Sequence, residues 1–157
     1  MAYLTIVSVD QGIPQSLIEE FKQYASMPDG SRDAVLVGLL KSAILRVQEY
    51  ADAALIACTA RQVAQLPDGS GTLRLYLGGG EVVSVRRMDG GDSMDFESLP
   101  GRRLSVHGSG CEVEVVFRAR PDVGNLERCR ATVLRYATAL YDGEGTEVLN
   151  SILNEVL

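Results

Sequence analysis

Tryptophan is absent from this chain, histidine occurs once, and only 6% of residues are aromatic. A single histidine, His107, cannot supply the paired imidazoles that many metal sites use, and three dispersed cysteines do not complete a ligand set. A nucleophilic Cys–His pair would have to join His107 to Cys58, Cys111 or Cys129. His107 and Cys111 flank the turn Gly108-Ser109-Gly110, so a hairpin could bring them near each other. No hydrolase signature surrounds them, and the plainer expectation is a wet-face histidine and core cysteines. An odd number of cysteines without close spacing argues against an oxidised framework and predicts a reducing compartment. No window approaches the roughly 18 uninterrupted apolar residues of a membrane span, and the start MAYLTIVSVDQG lacks the basic n-region of a signal peptide. No catalytic, metal-binding or cofactor-binding residue is assigned.

What is present is amphipathic helix at both ends and short strand in between. Apolar content of 46%, mean hydropathy of +0.06 and a length of 157 residues suit one domain with one core. Residues 31–59 place Leu36, Leu40, Ala43, Val47, Tyr50 and Ala54 on one helical stripe. Ser31 is the expected N-cap, and Asp33 suits the positive end of the helix dipole. Residues 125–145 place Leu126, Cys129, Val133, Ala137 and Leu140 on one face, with Arg128 and Arg135 off it, until Gly143 or Gly145 stops the helix. Pro14 is placed to open a helix reaching about Ala25, striped by Leu17, Ile18, Phe21 and Tyr24. Met27-Pro28-Asp29-Gly30 reads as a turn. A last helix, capped by Thr146, carries Val148, Leu149, Ile152, Leu153 and Val156. The expected helices span about 14–26, 31–54, 125–142 and 146–156.

Residues 57–120 read as an inserted antiparallel sheet of hairpins. Alternation runs through Leu73, Leu75 and Leu77, through Val83 and Val85, through Leu104 and Val106, and through Val113, Val115 and Phe117. Glycine clusters at 68–71, 78–80, 90–91 and 108–110 punctuate the strands. The fold class is therefore α+β, a helical bundle with a small inserted sheet, and residues 1–12 read as an extended lead-in. Gly78-Gly79-Gly80 is no phosphate loop, because no Lys and Ser or Thr follow it into a helix. Asp89, Asp92, Asp95 and Glu97 lack the ligand order of a calcium loop.

Charge is unevenly placed. Net charge is -6, yet most Lys and Arg lie between residues 61 and 135, while 136–157 hold Asp142, Glu144, Glu147, Glu155 and no base. Between neighbouring copies of an oligomer, opposite-signed faces would steer assembly. Arg86, Arg87, Arg102, Arg103, Arg118 and Arg120 sit in or beside strands, but overall acidity opposes duplex affinity. The segment 88–99 sets apolar side chains among acids and glycines. Its residues Met88, Asp89, Met94, Phe96 and Leu99 are the candidate protein-interface loop.

Three phrases carry a family likeness. The first is the acid-led helix Asp33, Ala34, Leu39, Leu40, Ala43, running into Val47, Glu49, Tyr50 and then Ala54, Leu55, Ile56 and Thr59. The second is Leu75 to Val85, an apolar strand, a turn and Val-Ser-Val. The third is the closing helix with Leu134, Ala137, Leu140, Tyr141 and Asp142. Together they make residues 31–145 resemble the phage head-tail connector proteins. The chain departs from the pattern at Ala51-Asp52, where relatives carry threonine-glycine, and at Gly78–Gly80, where a proline-bearing turn is usual. The resemblance implies a structural, non-enzymatic head-completion adaptor without cofactors: a homo-oligomeric ring between portal and a tail-proximal stopper protein. It implies DNA passing through the channel without sequence-specific binding. It further implies residence at the virion head-tail junction, and in the cytoplasm of a bacterial host during assembly. Read without it, the residues leave open a protein- or nucleic-acid-binding module and, last, a small Cys/His hydrolase.

Overall fold

The computed structural model describes residues 3–25 and 33–156. Ser31 and the turn 27–30, singled out in the sequence, lie outside the described residues. The fold is α+β; the described residues form four α-helices and two antiparallel sheets. The chain divides into two compact units: residues 1–10 with 57–120, and residues 11–56 with 121–157. The first is the β unit and the second the helical unit, and both are discontinuous in sequence.

In the helical unit, α1 spans Gln15–Tyr24, α2 Asp33–Ala51, α3 Val123–Tyr141 and α4 Thr146–Leu153, followed by a 3₁₀ turn at Asn154–Val156. Leu17, Phe21, Leu36, Leu40, Ala43, Ile44, Val47, Val133, Ala137 and Leu153 are fully or almost fully buried. Polar tethers flank this core. Lys22 Nζ lies 2.7 Å from Asp33 Oδ1, joining α1 to the first turn of α2. Arg130 on α3 pairs with Glu20 on α1, and Arg135 pairs with Glu155.

Helix ends differ from the sequence expectation for identifiable reasons. Pro14 is the N-cap of α1, with ψ 131°, rather than its first helical residue, and its carbonyl accepts from Leu17 and Ile18. Likewise Gly145, not Thr146, caps α4, because Leu149 N–H donates to the Gly145 carbonyl. α2 stops at Ala51, short of Ala54. There Asp52 turns left-handed (φ 51°), and Ala53 N–H reaches back to the Gln48 carbonyl, six-residue closure of the Schellman type. α3 starts at Val123, two residues early. It ends in the same motif on Gly143 (φ 72°), where Glu144 N–H donates to Ala139 and Gly143 N–H to Leu140. Tyr24 and Val148, placed on apolar stripes by their spacing, are exposed, and Tyr50 is half-buried with its hydroxyl donating to Asn154.

In the β unit, β1 spans Tyr3–Val9, β2 Cys58–Gln65, β3 Thr72–Arg74, β4 Gly80–Arg87, β5 Phe96–Leu99, β6 Arg103–Val106 and β7 Glu112–Ala119. One sheet has the order β1-β2-β7-β4 and the other β3-β6-β5, antiparallel throughout. The expected lead-in is thus partly a sheet strand, β1, paired to β2 from Tyr3↔Val63 to Val9↔Cys58. Leucine alternation at 73, 75 and 77 reports burial correctly, but β3 ends at Arg74, since Leu77 (φ 56°), Gly78 and Gly79 are all left-handed. That stretch carries the chain from one sheet to the other instead of closing a hairpin. Val83, expected to share the buried face of Val85, falls at a register shift between Val82 and Ser84 and is 48% exposed. A bulge inserts one residue and turns its side chain outward.

Gln62 joins the first sheet to the end of β3. It is buried on the core face of β2, where its Nε2 donates to the Arg74 carbonyl (2.8 Å) and its Oε1 accepts from Tyr76 N–H (2.9 Å). The side chain satisfies two main-chain groups that the end of the strand would leave open.

Candidate functional site

The candidate interface segment begins where β4 ends. Met88 N–H donates to the Glu112 carbonyl, extending the β4–β7 ladder by one residue. The chain then reverses through Gly90 (φ 82°) and Gly91 (φ 71°), conformations that glycine adopts without a Cβ penalty. It returns antiparallel to β4, with Arg87 N–H donating to Asp92, Met94 N–H to Val85, and Arg86 opposite Ser93. Beyond Asp95, whose carbonyl accepts from His107 N–H, the segment becomes β5 and pairs with β6.

Its five named residues therefore separate into two groups. Met88 is 38% and Phe96 37% exposed, and Asp89 is exposed at the turn. Met94 and Leu99 are half-buried. Met94 has its terminal methyl where a side chain at residue 108 would stand, so the glycine there makes room for it. Leu99 lies opposite Arg103 in the β5–β6 ladder.

His107 is exposed, Cys111 is half-buried, and Cys58 and Cys129 are buried. Among the described residues no three His, Cys, Asp or Glu side chains gather as a metal site, and no helix is long and apolar enough to cross a membrane. Gly78–Gly80 lead into a strand, and Gly80 sits against the backbone of β7.

Other features of the β unit went unnoticed in the sequence. Asp10, just past β1, accepts from Thr59 Oγ1 (2.7 Å) and Ser8 Oγ (2.8 Å), and its N–H donates to the Ala57 carbonyl. The Thr59 and Ser8 hydroxyls, helped by Arg118, hold its carboxyl below the ordinary value of 3.8. Arg61 donates to Glu114 (2.7 Å) across β2–β7, and its guanidinium carbon lies 5.8 Å from the centre of the Tyr3 ring. Glu81 lies between Arg118 (3.6 Å) and Arg120 (3.4 Å). The charges of this face are largely spent on one another. Such pairs appear only once strand register is known.

The helical unit carries a surface groove of about 170 Å³ bordered by Tyr24, Arg135, Asp142, Glu144, Val148 and Ile152. Tyr24 (51%) and Val148 (43%) leave apolar surface exposed beside the carboxylates of Asp142 and Glu144.

No family model matches the chain, and no curated protein matches it by sequence. Its fold is similar to chains in three solved assemblies. One is the neck of an empty GTA particle computed with C6 symmetry (18% identity, 89% of this chain and 84% of that chain, TM-score 0.59). Another is the virion of a native gene transfer agent (GTA) particle (19%, 88% and 84%, 0.61). A third is the neck of a native GTA particle computed with C12 symmetry (16%, 98% and 94%, 0.59). At these identities the likeness is one of fold.

Proposed function

We propose that this protein is a structural adaptor of a phage or phage-like particle, forming a ring at the neck between portal and tail. The observation that carries this is the fold likeness to chains of GTA necks and virions, which extends over 88% or more of this chain and 84% or more of each neighbour. Both the helical bundle and the strand insertion are thus shared, not one common motif. Two of those necks were computed with sixfold and twelvefold symmetry, which favours a cyclic homo-oligomer here as well. Assembly rather than turnover is its work, and the reading gives it no catalytic residue or cofactor. Its partners would be the portal on one side and a tail-proximal stopper on the other, with DNA passing through without sequence-specific contact. It would reside in the virion, after assembly in the cytoplasm of a bacterial host. The segment 88–99, with Met88, Asp89 and Phe96 exposed, is the proposed contact with one of these partners.

Light scattering of the purified chain over a concentration series, with and without its cognate portal, tests the reading. A ring-sized species, spontaneous or portal-induced, is expected. A chain that stays monomeric and ignores the portal would overturn it.

A further inference from the structure

The C-terminal end of α3 carries charge of the wrong sign for a helix. The last carbonyls of a helix form its negative pole, where cations are favoured and carboxylates are not. α3 has no basic residue in its last turn; Asp142 is its C-cap, and Glu144 follows two residues later. The backbone here is pinned, because Asp142 N–H donates to Thr138, Gly143 N–H to Leu140 and Glu144 N–H to Ala139. Both carboxylates are exposed, and among the described residues neither has an ion pair or a side-chain hydrogen bond. Glu147 is different, since it lies in the first turn of α4, where a carboxylate is already favourable.

Asp142 and Glu144 border the 170 Å³ groove of the helical unit. α1 also ends at that border, on Tyr24, and adds a second helical negative pole. The nearby cations are spent: Arg135 is engaged by Glu155, and Lys22 in the last turn of α1 by Asp33. The groove is smaller than the roughly 300–1,000 Å³ of small-molecule pockets, which suits one side chain rather than a cofactor. No three His, Cys, Asp or Glu gather among the described residues, so a divalent ion would lack ligands. The apolar lining is Tyr24 and Val148, both exposed, with Ala139 and Ile152 nearly buried. A planar guanidinium would find two carboxylates to accept its hydrogen bonds and an aromatic ring to stack on, whereas an ammonium would use the charges alone.

We propose that this groove seats an arginine side chain presented by a partner protein, beside an apolar residue that covers Val148. Charge complementarity selects the occupant: two acids, unmatched among the described residues, gain the cation that the end of α3 lacks. Arginine is also among the residues that most often anchor interfaces. The inference goes beyond the adaptor reading and does not depend on it.

Two capped dipeptides test it at low salt: N-acetyl-arginyl-leucinamide, and its citrulline counterpart, which keeps the shape without the charge. Heteronuclear NMR titration should give saturable shifts at Tyr24, Asp142, Glu144 and Val148 with the first and none with the second. Asp142→Asn combined with Glu144→Gln should weaken binding at least about tenfold. Tyr24→Leu keeps the carboxylates and should remove the preference for arginine over a lysine-bearing peptide. Both variants change exposed side chains, and unchanged spectra elsewhere verify that they fold. An absent or unsaturable response, equal shifts with citrulline, or a double variant that binds like wild type would overturn the slot. Sedimentation velocity identifies the other occupant: wild-type chain that self-associates where the double variant does not would put the arginine on a second copy and overturn the partner assignment. None of these outcomes bears on ring formation with the portal, which light scattering tests separately.

Discussion

Two buried glutamines, Gln48 and Gln62, do with side chains what the backbone cannot do at the end of a helix and of a strand. Gln48 accepts from Leu55 N–H (3.1 Å) just past α2, and Gln62 clamps Arg74 and Tyr76. Replacing Gln62 by Leu keeps the bulk and leaves two main-chain groups without partners, at about 1–3 kcal/mol for each that is dehydrated. Gln62→Leu should therefore lower the urea midpoint clearly; an unchanged midpoint would show that water replaces the clamp. Asp10 gives a second prediction. Its carboxyl is held below 3.8 chiefly by Thr59, so its contribution is present above the unfolded value and fades as pH falls through the folded one. Thr59→Val should thus cost more stability at neutral pH than at about pH 2. An equal cost at both would remove the carboxylate from the account. None of these roles was legible in the sequence, because a lone Gln, Asp or Thr has no periodicity. Its partner lies across a strand or past a helix end.

At the scale of elements, much was legible where apolar spacing repeats. α2 and α3 emerge from the three-and-four spacing of Leu36, Leu40, Ala43 and Val47 and of Cys129, Val133 and Ala137, all buried. β7 emerges from Val113, Val115 and Phe117, likewise buried. β1 escaped because Tyr3, Leu4, Ile6, Val7 and Val9 do not alternate strictly; its ladder is broken between Ile6 and Ser8. The bulge at Val83 and the left-handed run after Tyr76 escaped because they are set by the partner strand, not by the local residues. Glycine separates these cases experimentally. At Gly80 a Cβ would crowd the β7 backbone, 2.8 Å from the Arg118 carbonyl carbon and 3.1 Å from Ala119 Cα. Gly38, inside α2, has no atom within 4 Å of such a Cβ. Gly80→Ala should destabilise by about 1–3 kcal/mol or more, as overpacking against unyielding atoms does. Gly38→Ala should stabilise by up to about 1 kcal/mol, as expected of an exposed helix interior. Thermal melts of the two variants moving in the same direction would contradict this placement.

At the scale of the molecule, the acidity is partitioned. The helical unit carries twelve Asp and Glu against seven Lys and Arg, whereas the β unit carries nine against eight. The sequence showed that the acids gather late in the chain, but not that β-unit arginines such as Arg61 and Arg118 are matched by Glu114 and Glu81. Matched guanidinia release few counterions from a duplex, and net repulsion adds to that. Double-stranded DNA at physiological salt should therefore bind weakly, with little dependence of affinity on salt. Tight binding with a steep salt slope would argue for a nucleic-acid-binding module instead. The α+β class followed from the order helix, strand, helix. The division of strands between two sheets did not, because it depends on Leu77 and two glycines reversing the chain.

That same order has a consequence in time. Both units are assembled from separated stretches of chain, and Tyr3 pairs with Val63. On a ribosome adding roughly 5–20 residues per second, β1 emerges about 3–12 s before its partner. α2 waits similarly for α3. Throughout that interval an uncharged strand and a leucine-rich helix face stand unsatisfied in water, so the nascent chain, more than the finished one, is the form that needs a chaperone.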